Sequence, residues 1–485
     1  MPLLLLLALL VGCAAPGGQE APRRPNLLVV MVDDLGWQDV SLPLGPDPTP
    51  FNQRYRTPHL EALAARGLAF TDAYASAPVC TPTRVSFMTG QAPARHHVTW
   101  WVLRADEDRS NPHPTLAPPS WRVNGLQPRD VTLAALLGGV GYRTIHVGKA
   151  HLGAEGTPGA DPRNLGFDVN IAGHGAGGPG SFLGTQSFSA RHRNADPVWD
   201  VPGLDAYHGQ EIFLTEALTA EAVRALEEAE AAGAPFFLHF APYAVHAPIT
   251  ANPRHLDDDS DLHPTEAAYA SMVESVDVAL GELLATLERL GQLEDTLVVF
   301  TSDNGGLSAH GRGGTAHTHN APLRSGKGSA YEGGLRVPMV VAGPGVRARG
   351  RCADPVITHD LFPTLLAAAG ATVPVGHPVD GVDLAPVLRG EPLAERALYW
   401  HQPHQWGARG PGIWPFSAVR RGDRKLIHDH ASGRLESYDL ASDLGERTDQ
   451  GPDPALAEDL GRWLEQVGAQ PSLDRDTGAQ VRLVR

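Results

Sequence analysis

One short run of the sequence holds the residue types best suited to covalent chemistry. It reads VCTPTRVSFMTG and places Cys80, Pro82 and Arg84 at fixed offsets, with Thr89 and Gly90 behind them. A match to C-x-P-x-R arises by chance only about 0.02 times in a chain of this composition. The other interpretation is a buried free thiol at a helix start, because free cysteine is often a core residue.

Two pairs of residues with carboxylate or carboxamide side chains follow two apolar runs, at points where strands are expected to end. Asp33 and Asp34 follow NLLVVMV, and Asp303 and Asn304 follow TLVVFTS. Acidic residues that converge from two strand ends repel one another unless a cation lies between them. Three carboxylates and a carboxamide favour a hard divalent cation such as Ca²⁺ over Zn²⁺, which prefers thiolate and imidazole. Taken alone, Asp33 and Asp34 could equally form a solvated turn.

Lysine is rare in this chain, and two lysines stand in distinctive motifs. Of 39 lysines and arginines only three are lysine. Lys149 and His151 stand in VGKAHLG, Lys327 stands in LRSGKGSAYEGGLRVP, and His246 stands in VHAP. A tetrahedral anion needs several cationic donors, which these lysines and Arg84 can supply. Each Lys or His taken singly is more often a solvated surface residue.

Together these motifs resemble those of the formylglycine-dependent sulfatases, the type I sulfatases of the alkaline phosphatase-like superfamily. The resemblance covers nearly the whole mature chain, in the order this family uses. It implies that a formylglycine-generating enzyme oxidises Cys80 to formylglycine (3-oxoalanine), whose hydrated aldehyde is the nucleophile. It also implies one Ca²⁺ per chain. The matching metal ligands are Asp33, Asp34, the modified Cys80, Asp303 and Asn304.

The resemblance implies a role for each catalytic residue in the first step. One hydroxyl of the hydrated formylglycine, activated by the metal and by Asp303, attacks sulfur in line and expels the alcohol. His246 or Lys327 protonates that alcohol. Arg84 and Lys149 hold the modified side chain and neutralise charge.

The resemblance also implies a second step, which releases sulfate without an attack of water on sulfur. His151 removes the proton from the second hydroxyl, sulfate leaves, and the aldehyde is restored.

The predicted activity is hydrolysis of sulfate esters, on carbohydrates rather than free phenols. A phosphonate monoester hydrolase or phosphodiesterase of the same superfamily is the alternative. A third hypothesis is a cell-surface binding protein whose Cys80 stays unconverted and inert.

The apolar runs predict the fold. NLLVVMV is a continuous apolar run, typical of a strand buried on both faces of a parallel sheet, and YRTIHV, PFFLHF and TLVVFTS follow the same pattern with a few polar residues. Between them lie helical patterns with apolar residues every three or four positions, as at Met272, Val276, Leu280, Leu283, Leu287 and Leu290. The alternation predicts an α/β fold with a large, mixed, mostly parallel sheet flanked by helices. The resemblance makes it alkaline phosphatase-like.

The chain divides into four predicted parts. These are a signal peptide at 1–12, a lipidated cysteine and flexible tether at 13–25, a catalytic domain at 26–390 and a C-terminal α+β subdomain at 391–485. The last part contains three predicted short strands in FSAVRRGDRKLIHDHASGRLESYDL and a helix near 453–467. Residues 91–128 and 153–184 are predicted surface loops.

The N-terminal segment predicts export. Its apolar run of nine residues, Leu3 to Val11, is far short of the roughly 20 that a membrane-spanning helix needs. It is typical of a signal peptide, and LVGC resembles a lipoprotein signal in which Cys13 carries the lipid. We therefore expect a periplasmic or cell-surface protein whose contact with the membrane is a lipid anchor. The other interpretation is an ordinary cleaved leader with an incidental cysteine.

Composition and charge narrow the classes of partner. The apolar fraction of 42% and the charged fraction of 19% are those of a folded globular protein. A net charge of −16 argues against nucleic acid as a partner, so any anionic ligand must be bound locally.

Cys352 is predicted to be a structural thiol.

The loops contain residues that could bind sugars. Tryptophan can stack on sugar faces, while histidine and asparagine can hydrogen-bond to hydroxyls. The candidates are Trp100, Trp101, His113, Trp121, His174, His317, His319 and Asn320. Loop packing is the equally open alternative for these residues.

Overall fold

A computed structural model describes residues 24–257, 261–308, 312–407 and 410–484 of the chain. The predicted signal peptide and the lipidated Cys13 lie outside these residues. The strands are β1 Asn26–Val32, β2 Gly67–Phe70, β3 Ala73–Tyr74, β4 Leu116–Ala117, β5 Arg143–Gly148, β6 Val169–Ile171, β7 Phe236–Ala241, β8 Thr296–Ser302, β9 Met339–Ala342, β10 Gly350–Cys352, β11 Val356–Ile357, β12 Ala397–Gln402, β13 Phe416–Arg421, β14 Arg424–Asp429, β15 Leu435–Asp439 and β16 Leu473–Asp474. The α-helices are α1 Pro58–Ala65, α2 Cys80–Thr89, α3 Pro93–His96, α4 Leu133–Gly139, α5 Leu214–Ala232, α6 Pro264–Arg289, α7 Glu332–Leu335, α8 Leu361–Ala369, α9 Ala385–Leu388 and α10 Pro454–Val467.

A mixed, mostly parallel sheet organises the larger part of the molecule. Its eight strands lie in the order β10-β2-β9-β8-β1-β7-β5-β6. β1 pairs in parallel with both β7 and β8, whereas β9 is antiparallel to both of its neighbours. The predicted α/β fold is confirmed, and the four apolar runs form four adjacent central strands, β8, β1, β7 and β5.

Helices cover both faces of this sheet, which explains why its central strands are largely apolar. Leu28, Val30 and Val32 of β1 belong to a core shared with α1, α5 and α6. The alternate residues Leu27 and Val29 belong to a core shared with α2, α4 and α8. Strands buried on both faces carry apolar side chains at every position, because neither face meets water.

The C-terminal part contains a second, antiparallel sheet in the order β12-β13-β14-β15. The three predicted strands are present, but the sequence analysis missed β12, a fourth strand that pairs with β13. One face of the sheet packs on Tyr74 and Tyr331 of the larger part, and the other packs on α10. Asp453 caps α10 by accepting hydrogen bonds from the N–H groups of Ala455 and Leu456.

The two predicted loop regions are largely irregular, with two corrections. Residues 91–128 include the short helix α3 and the strand β4, which pairs in antiparallel with β16. Residues 153–184 include β6, which pairs in parallel with β5 at the edge of the large sheet. A strand of three residues is too short for its alternation to stand out in a glycine-rich stretch. In the part of the chain that the structure covers, every helix is too short or too polar to cross a bilayer.

Candidate active site

The carboxyl ends of two neighbouring strands bring the predicted metal ligands together. β1 and β8 pair with Val32 opposite Ser302, so the residues that follow leave the sheet side by side. The backbone N–H of Asp34 donates to Oδ1 of Asp303 at 3.2 Å, and Nδ2 of Asn304 donates to Oδ1 of Asp34 at 2.8 Å. Asp33 is buried in the same cluster.

The oxygen atoms of this cluster fit a cation. Among the described residues, Oδ2 of Asp33, Oδ2 of Asp34 and Oδ1 of Asn304 are buried and have no hydrogen-bond donor. Acceptors buried without a partner cost free energy, and a cation would remove that cost. Ligand atoms of Asp33, Asp34 and His246 also lie within 4.8 Å of one another. The donor set is dominated by oxygen, as a hard divalent cation requires.

Both motif lysines pair with these carboxylates. Nζ of Lys149 lies 2.7 Å from Oδ1 of Asp33 and 3.8 Å from Oδ2 of Asp303. Nζ of Lys327 lies 2.6 Å from Oδ1 of Asp34. The roles predicted from the sequence were binding of the anion for both lysines, contact with the modified side chain for Lys149 and protonation of the alcohol for Lys327. The structure also places both lysines against the predicted metal ligands. With Arg84, three cations face three carboxylates.

The carboxylates differ in how easily they are protonated. Burial raises the pKa of Asp33 well above its usual range, because the opposing effect of Lys149 is offset by Asp303 and Asp34. Burial acts in the same direction on Asp303, but Arg84 and Lys149 together lower its pKa below the usual value. A third negative charge in this cluster is therefore unfavourable, as expected for a site that a divalent cation would stabilise.

Cys80 is the first residue of α2, and Arg84 follows one turn later. Every residue of this helix is buried, and Val79 before it is extended. Nε of Arg84 donates to Oδ2 of Asp303 at 2.7 Å, and its Nη1 donates to the carbonyl oxygen of Lys149 at 2.8 Å. Its Nη2 is buried and has no acceptor within the described chain. That nitrogen remains available to an anion.

The thiol of Cys80 is poorly suited to act as a nucleophile itself. Burial raises its pKa above the usual value, although Lys149 and Lys327 act in the opposite direction. A catalytic cysteine needs a lowered pKa, because the thiolate is the reactive form.

His151 has the features of a general base. Its Nε2 lies 2.8 Å from the carbonyl oxygen of Val102, which can only accept, so Nε2 carries the proton. Burial, reinforced by Lys149, lowers the pKa of His151 well below its usual value, and the ring is neutral near pH 7. Its deprotonated Nδ1 is buried and, in the region described, has no hydrogen-bond partner. A proton can be accepted there.

His246 stands on the open side of the site. Its side chain is 23% exposed, its Nδ1 donates to the carbonyl oxygen of Ala247 at 2.7 Å, and its Nε2 lies 3.7 Å from Oδ2 of Asp34. Burial and the charge of Lys327 lower its pKa to about 3, against the effect of Asp34. Its Nε2 therefore faces the cluster without a proton.

A glycine-rich loop, residues 173–180, lies directly on both histidines. A Cβ on Gly177 would lie 2.3 Å from Cε1 of His151, and a Cβ on Gly178 would lie 2.8 Å from Nδ1 of His246. The backbone N–H of His151 donates to the carbonyl oxygen of His174 in the same loop, at 3.1 Å. This stretch, GHGAGGPG, was predicted only as part of the surface loop 153–184. That its glycines allow such a close approach to both histidines was not predicted.

A family model described as Sulfatase matches residues 25–371, more than half of the chain. The chain belongs to the sulfatase family. Human N-acetylgalactosamine-6-sulfatase is 32% identical over 467 residues, which cover 89% of this chain and 82% of that protein. Human arylsulfatase A is 32% identical over 499 residues, which cover 92% and 86%.

Solved structures agree with the family. The crystal structure of Ps i-CgsB in complex with k-i-k-neocarrahexaose superposes with a TM-score of 0.73 and 26% identity, covering 91% of this chain and 93% of that one. This sulfatase therefore has the alkaline phosphatase-like fold and is a sulfuric ester hydrolase. The match to the family model includes every predicted site residue from Asp33 to Lys327.

The buried tryptophans of this sulfatase pack rather than line a surface. Trp100 stacks on His404 with ring centroids 5.0 Å apart, and Trp121 meets the same ring edge-on at 5.4 Å. Both tryptophans are buried, so packing is the better interpretation for them. Trp406, which the sequence analysis did not single out, lies with its ring centroid 5.5 Å from Nζ of Lys327.

The other loop candidates are engaged with the protein itself. The ring of Trp101 lies 5.3 Å from the guanidinium carbon of Arg109. The remaining contacts are His113 Nδ1 with the N–H of Thr115, His174 Nδ1 with the hydroxyl of Tyr243, His317 Nδ1 with the hydroxyl of Ser325, His319 Nε2 with the carbonyl of Gly313, and Asn320 Nδ2 with the carbonyls of Gly306 and Ser325. Cys352 is a half-buried free thiol on the edge strand β10.

Proposed function

We propose that this sulfatase hydrolyses sulfate esters of carbohydrates, with a formylglycine made from Cys80 as nucleophile and one Ca²⁺ bound beside it. The observation that carries the proposal is the position of Cys80. It begins a buried helix, and its thiol is close enough to Lys149, Lys327, Asp33 and Asp303 for their charges to change its pKa. Cations for the sulfate and oxygen ligands for a metal thus surround the residue that must react.

Asp33, Asp34, Asp303 and Asn304 would hold the Ca²⁺, together with the modified residue 80. Bound Ca²⁺ supplies positive charge where the sulfate oxygens gather. Formylglycine supplies a hydrated aldehyde with two hydroxyls, one to take the sulfuryl group and one to drive its release.

The residues around position 80 divide the remaining work. Arg84 and Lys149 hold the modified side chain, and Lys327 binds a non-bridging sulfate oxygen. The attacking hydroxyl gives its proton to the carboxylate of Asp303, the S–O bond to the alcohol breaks as the new S–O bond forms, and the alcohol oxygen takes a proton from Nε2 of the protonated His246 ring. His246 is suited to this step because it is partly exposed and because an anionic substrate raises its pKa.

His151 completes the cycle. Its Nδ1 takes the proton of the second hydroxyl, the C–O bond to the sulfate group breaks with its electron pair on the departing sulfate, and the C=O bond of the aldehyde forms again. Water then hydrates the aldehyde. The free Nδ1 and the proton fixed on Nε2 support this role.

The carbohydrate preference has separate support. Human N-acetylgalactosamine-6-sulfatase is named for a sulfated sugar, and the Ps i-CgsB structure is a complex with a neocarrahexaose. A polymeric substrate also fits an exported enzyme held at the cell surface by a lipid on Cys13.

Cys13→Ala should move the protein from the membrane fraction to the soluble fraction, whereas an unchanged distribution would refute the anchor.

The first test uses protein coexpressed with a formylglycine-generating enzyme, supplied with Ca²⁺, and assayed on an aryl sulfate beside an aryl phosphate diester. Faster sulfate release supports the proposal and leads to a panel of sulfated saccharides. A dominant phosphodiesterase rate supports the alternative activity. The mass of the Cys80 peptide is measured in the same samples. An unconverted Cys80 in native material would support the binding-protein hypothesis.

A further inference from the structure

The third lysine of the chain lies outside the active site, yet it is as deeply buried as the other two. Lys425 is on β14 of the antiparallel sheet and is fully buried. Its Nζ lies 2.9 Å from Oε1 of Glu332 and 2.8 Å from Oε1 of Glu446. A buried ammonium is stable only when it is paired, and removal of one partner leaves the others uncompensated.

Glu332 belongs to the larger part of the molecule and follows Lys327 by five residues. Its carboxylate accepts hydrogen bonds from the hydroxyl of Tyr74 and from Nε of Arg336, each at 2.7 Å. Its backbone N–H donates to Oε2 of Glu446 at 2.6 Å. Glu332 is therefore fixed through both its side chain and its main chain.

The stretch from Arg324 to Arg336, here termed the Lys327 segment, has further contacts with the C-terminal part. The N–H of Ala330 donates to the carbonyl oxygen of Gly412 at 2.8 Å. The hydroxyl of Tyr331 donates to Glu436 at 2.7 Å. This side of the segment thus rests on the antiparallel sheet and on the loop that joins β12 to β13.

The opposite side of the Lys327 segment meets the active site. The N–H of Lys327 donates to the carbonyl oxygen of Gly306 at 3.0 Å, close to Asn304 in sequence. The N–H of Gly328 donates to the carbonyl oxygen of Pro78 at 2.8 Å, two residues before Cys80. A shift of the segment would therefore move Lys327 relative to the residues that react.

We propose that Lys425, acting through Glu332, is a positioning residue that sets the place of Lys327 in the active site. The inference rests on the role proposed above for Lys327 as a ligand of the sulfate group. In Lys425→Met, Glu332 loses its ion pair with β14, so the Lys327 segment is no longer held on the antiparallel sheet at that point and Lys327 shifts. Repulsion between Glu332 and Glu446 adds to this shift. An error of about 1 Å in a positioned group can lower turnover by about a hundredfold.

The test compares kcat on an aryl sulfate with the inhibition constant of inorganic sulfate. Lys425→Met should lower kcat by roughly ten- to a hundredfold and weaken sulfate inhibition by a similar factor. The inhibition constant does not depend on the amount of folded enzyme, so lower stability alone leaves it unchanged. Wild-type kcat and inhibition in folded Lys425→Met would overturn the proposal.

A second variant covers the case in which Lys425→Met does not fold. Lys425→Met with Glu446→Gln removes one of the two facing charges, so it should fold, while Glu332 still lacks its ammonium partner. We expect kcat to remain about tenfold low and sulfate inhibition to remain weak. Wild-type values in this double variant would refute the positioning role.

Two controls distinguish positioning by Lys425 from a general loss of stability and from a failure of the role of Lys327. Arg396→Met removes another ion pair between the two parts, since Nη1 of Arg396 donates to Oδ1 of Asp360 at 2.7 Å. It should lower the melting temperature but leave kcat and sulfate inhibition unchanged. Lys327→Met tests the proposed function itself. If Lys327→Met also had wild-type values, the role of Lys327 would fail, whereas a loss seen in Lys327→Met but not in Lys425→Met refutes positioning alone.

Discussion

Two backbone carbonyls determine what the active-site histidines can do. The carbonyl of Val102 binds the Nε2–H of His151, whereas the carbonyl of Ala247 binds the Nδ1–H of His246. The two rings therefore present different free nitrogens, Nδ1 in the first and Nε2 in the second. Neither tautomer could be predicted from the sequence, because the carbonyls come from backbone whose position depends on the tertiary structure.

Removal of the exposed histidine should have an effect that depends on the substrate. His246→Ala should lower kcat more than tenfold on an alkyl or sugar sulfate but only a few-fold on a nitrophenyl sulfate. Protonation matters most for a poor leaving group, and acid catalysis contributes roughly 10²- to 10⁴-fold. Rates on a series of sulfates with graded leaving-group pKa measure this. An equal loss along the series would transfer the acid role to Lys327.

Removal of the thiol should abolish the reaction without unfolding the protein. Cys80→Ala should have no measurable turnover on any sulfate ester, because no formylglycine can form. The substitution removes one sulfur atom from a buried helix start, so it should lower the free energy of unfolding by only about 1–2 kcal/mol. Activity assays and thermal unfolding, run together, check both statements. An active Cys80→Ala enzyme would eliminate the proposed nucleophile.

The helices that surround the sheet are joined by buried polar contacts as well as by packing. Asp277 of α6 accepts hydrogen bonds from the N–H groups of His59 at 3.0 Å and Leu60 at 2.8 Å, in the first turn of α1. Burial nevertheless raises its pKa from 3.8 to about 6, since these hydrogen bonds only partly offset the loss of water. The charged form of Asp277 is thus less favourable in the folded protein than in the unfolded chain.

This raised pKa predicts a specific pH dependence of stability. The contribution of Asp277 is fully present below pH 3.8 and is lost as pH rises through about 6, so the free energy of unfolding should fall by up to about 3 kcal/mol over that window. Asp277→Asn cannot ionise and should lack this decrease. Urea unfolding of both proteins at pH 4 to 7, with Ca²⁺ held constant, gives the difference. A pH-independent difference would contradict the prediction.

At the level of elements, the sequence predicted those with long, uniform patterns. The apolar runs that became β1, β5, β7 and β8 were evident because burial on both faces leaves few polar positions. β12 was missed because ALYWHQ alternates weakly and has a polar end. β6 was missed because three residues are too few for a period to appear.

The residues of the candidate active site could be proposed from the sequence, but their pairings could not. Motif spacing identified the acidic, basic and cysteine residues, because each stands in a distinctive local run. The pairing of Lys327 with Asp34 joins residues 293 positions apart, and no local pattern encodes it. The same holds for Trp406, which reaches Lys327 from a part of the chain that the motifs do not cover.

For the molecule as a whole, the balance of three carboxylates and three cations predicts that folding does not depend on the metal. Ca²⁺ should still stabilise the folded protein, because only folding brings the unpartnered oxygens of Asp33, Asp34 and Asn304 together. At a free concentration 100 times the dissociation constant, the gain is about 2.7 kcal/mol. Thermal unfolding of the formylglycine-containing wild-type protein with Ca²⁺ or with a chelator measures this gain independently of activity.

The control for this prediction is Asn304→Ala, which deletes one oxygen ligand while leaving all three carboxylates. Its melting temperature should respond to Ca²⁺ only at higher concentrations than that of the parent. A parent protein whose melting temperature is the same in Ca²⁺ and in chelator would refute the proposed metal site.

Because the chain contains only three lysines and all three are buried in ion pairs, the folded protein has an unusual chemical surface. Amine-acylating reagents, which modify exposed lysines on most proteins, should leave the side chains of Lys149, Lys327 and Lys425 unmodified while the fold is intact. Acylation of Lys327 would then report the opening of the active site, and acylation of Lys425 would report separation of the two parts. Mass spectrometry of timed acylation would thus follow both events in one native sample.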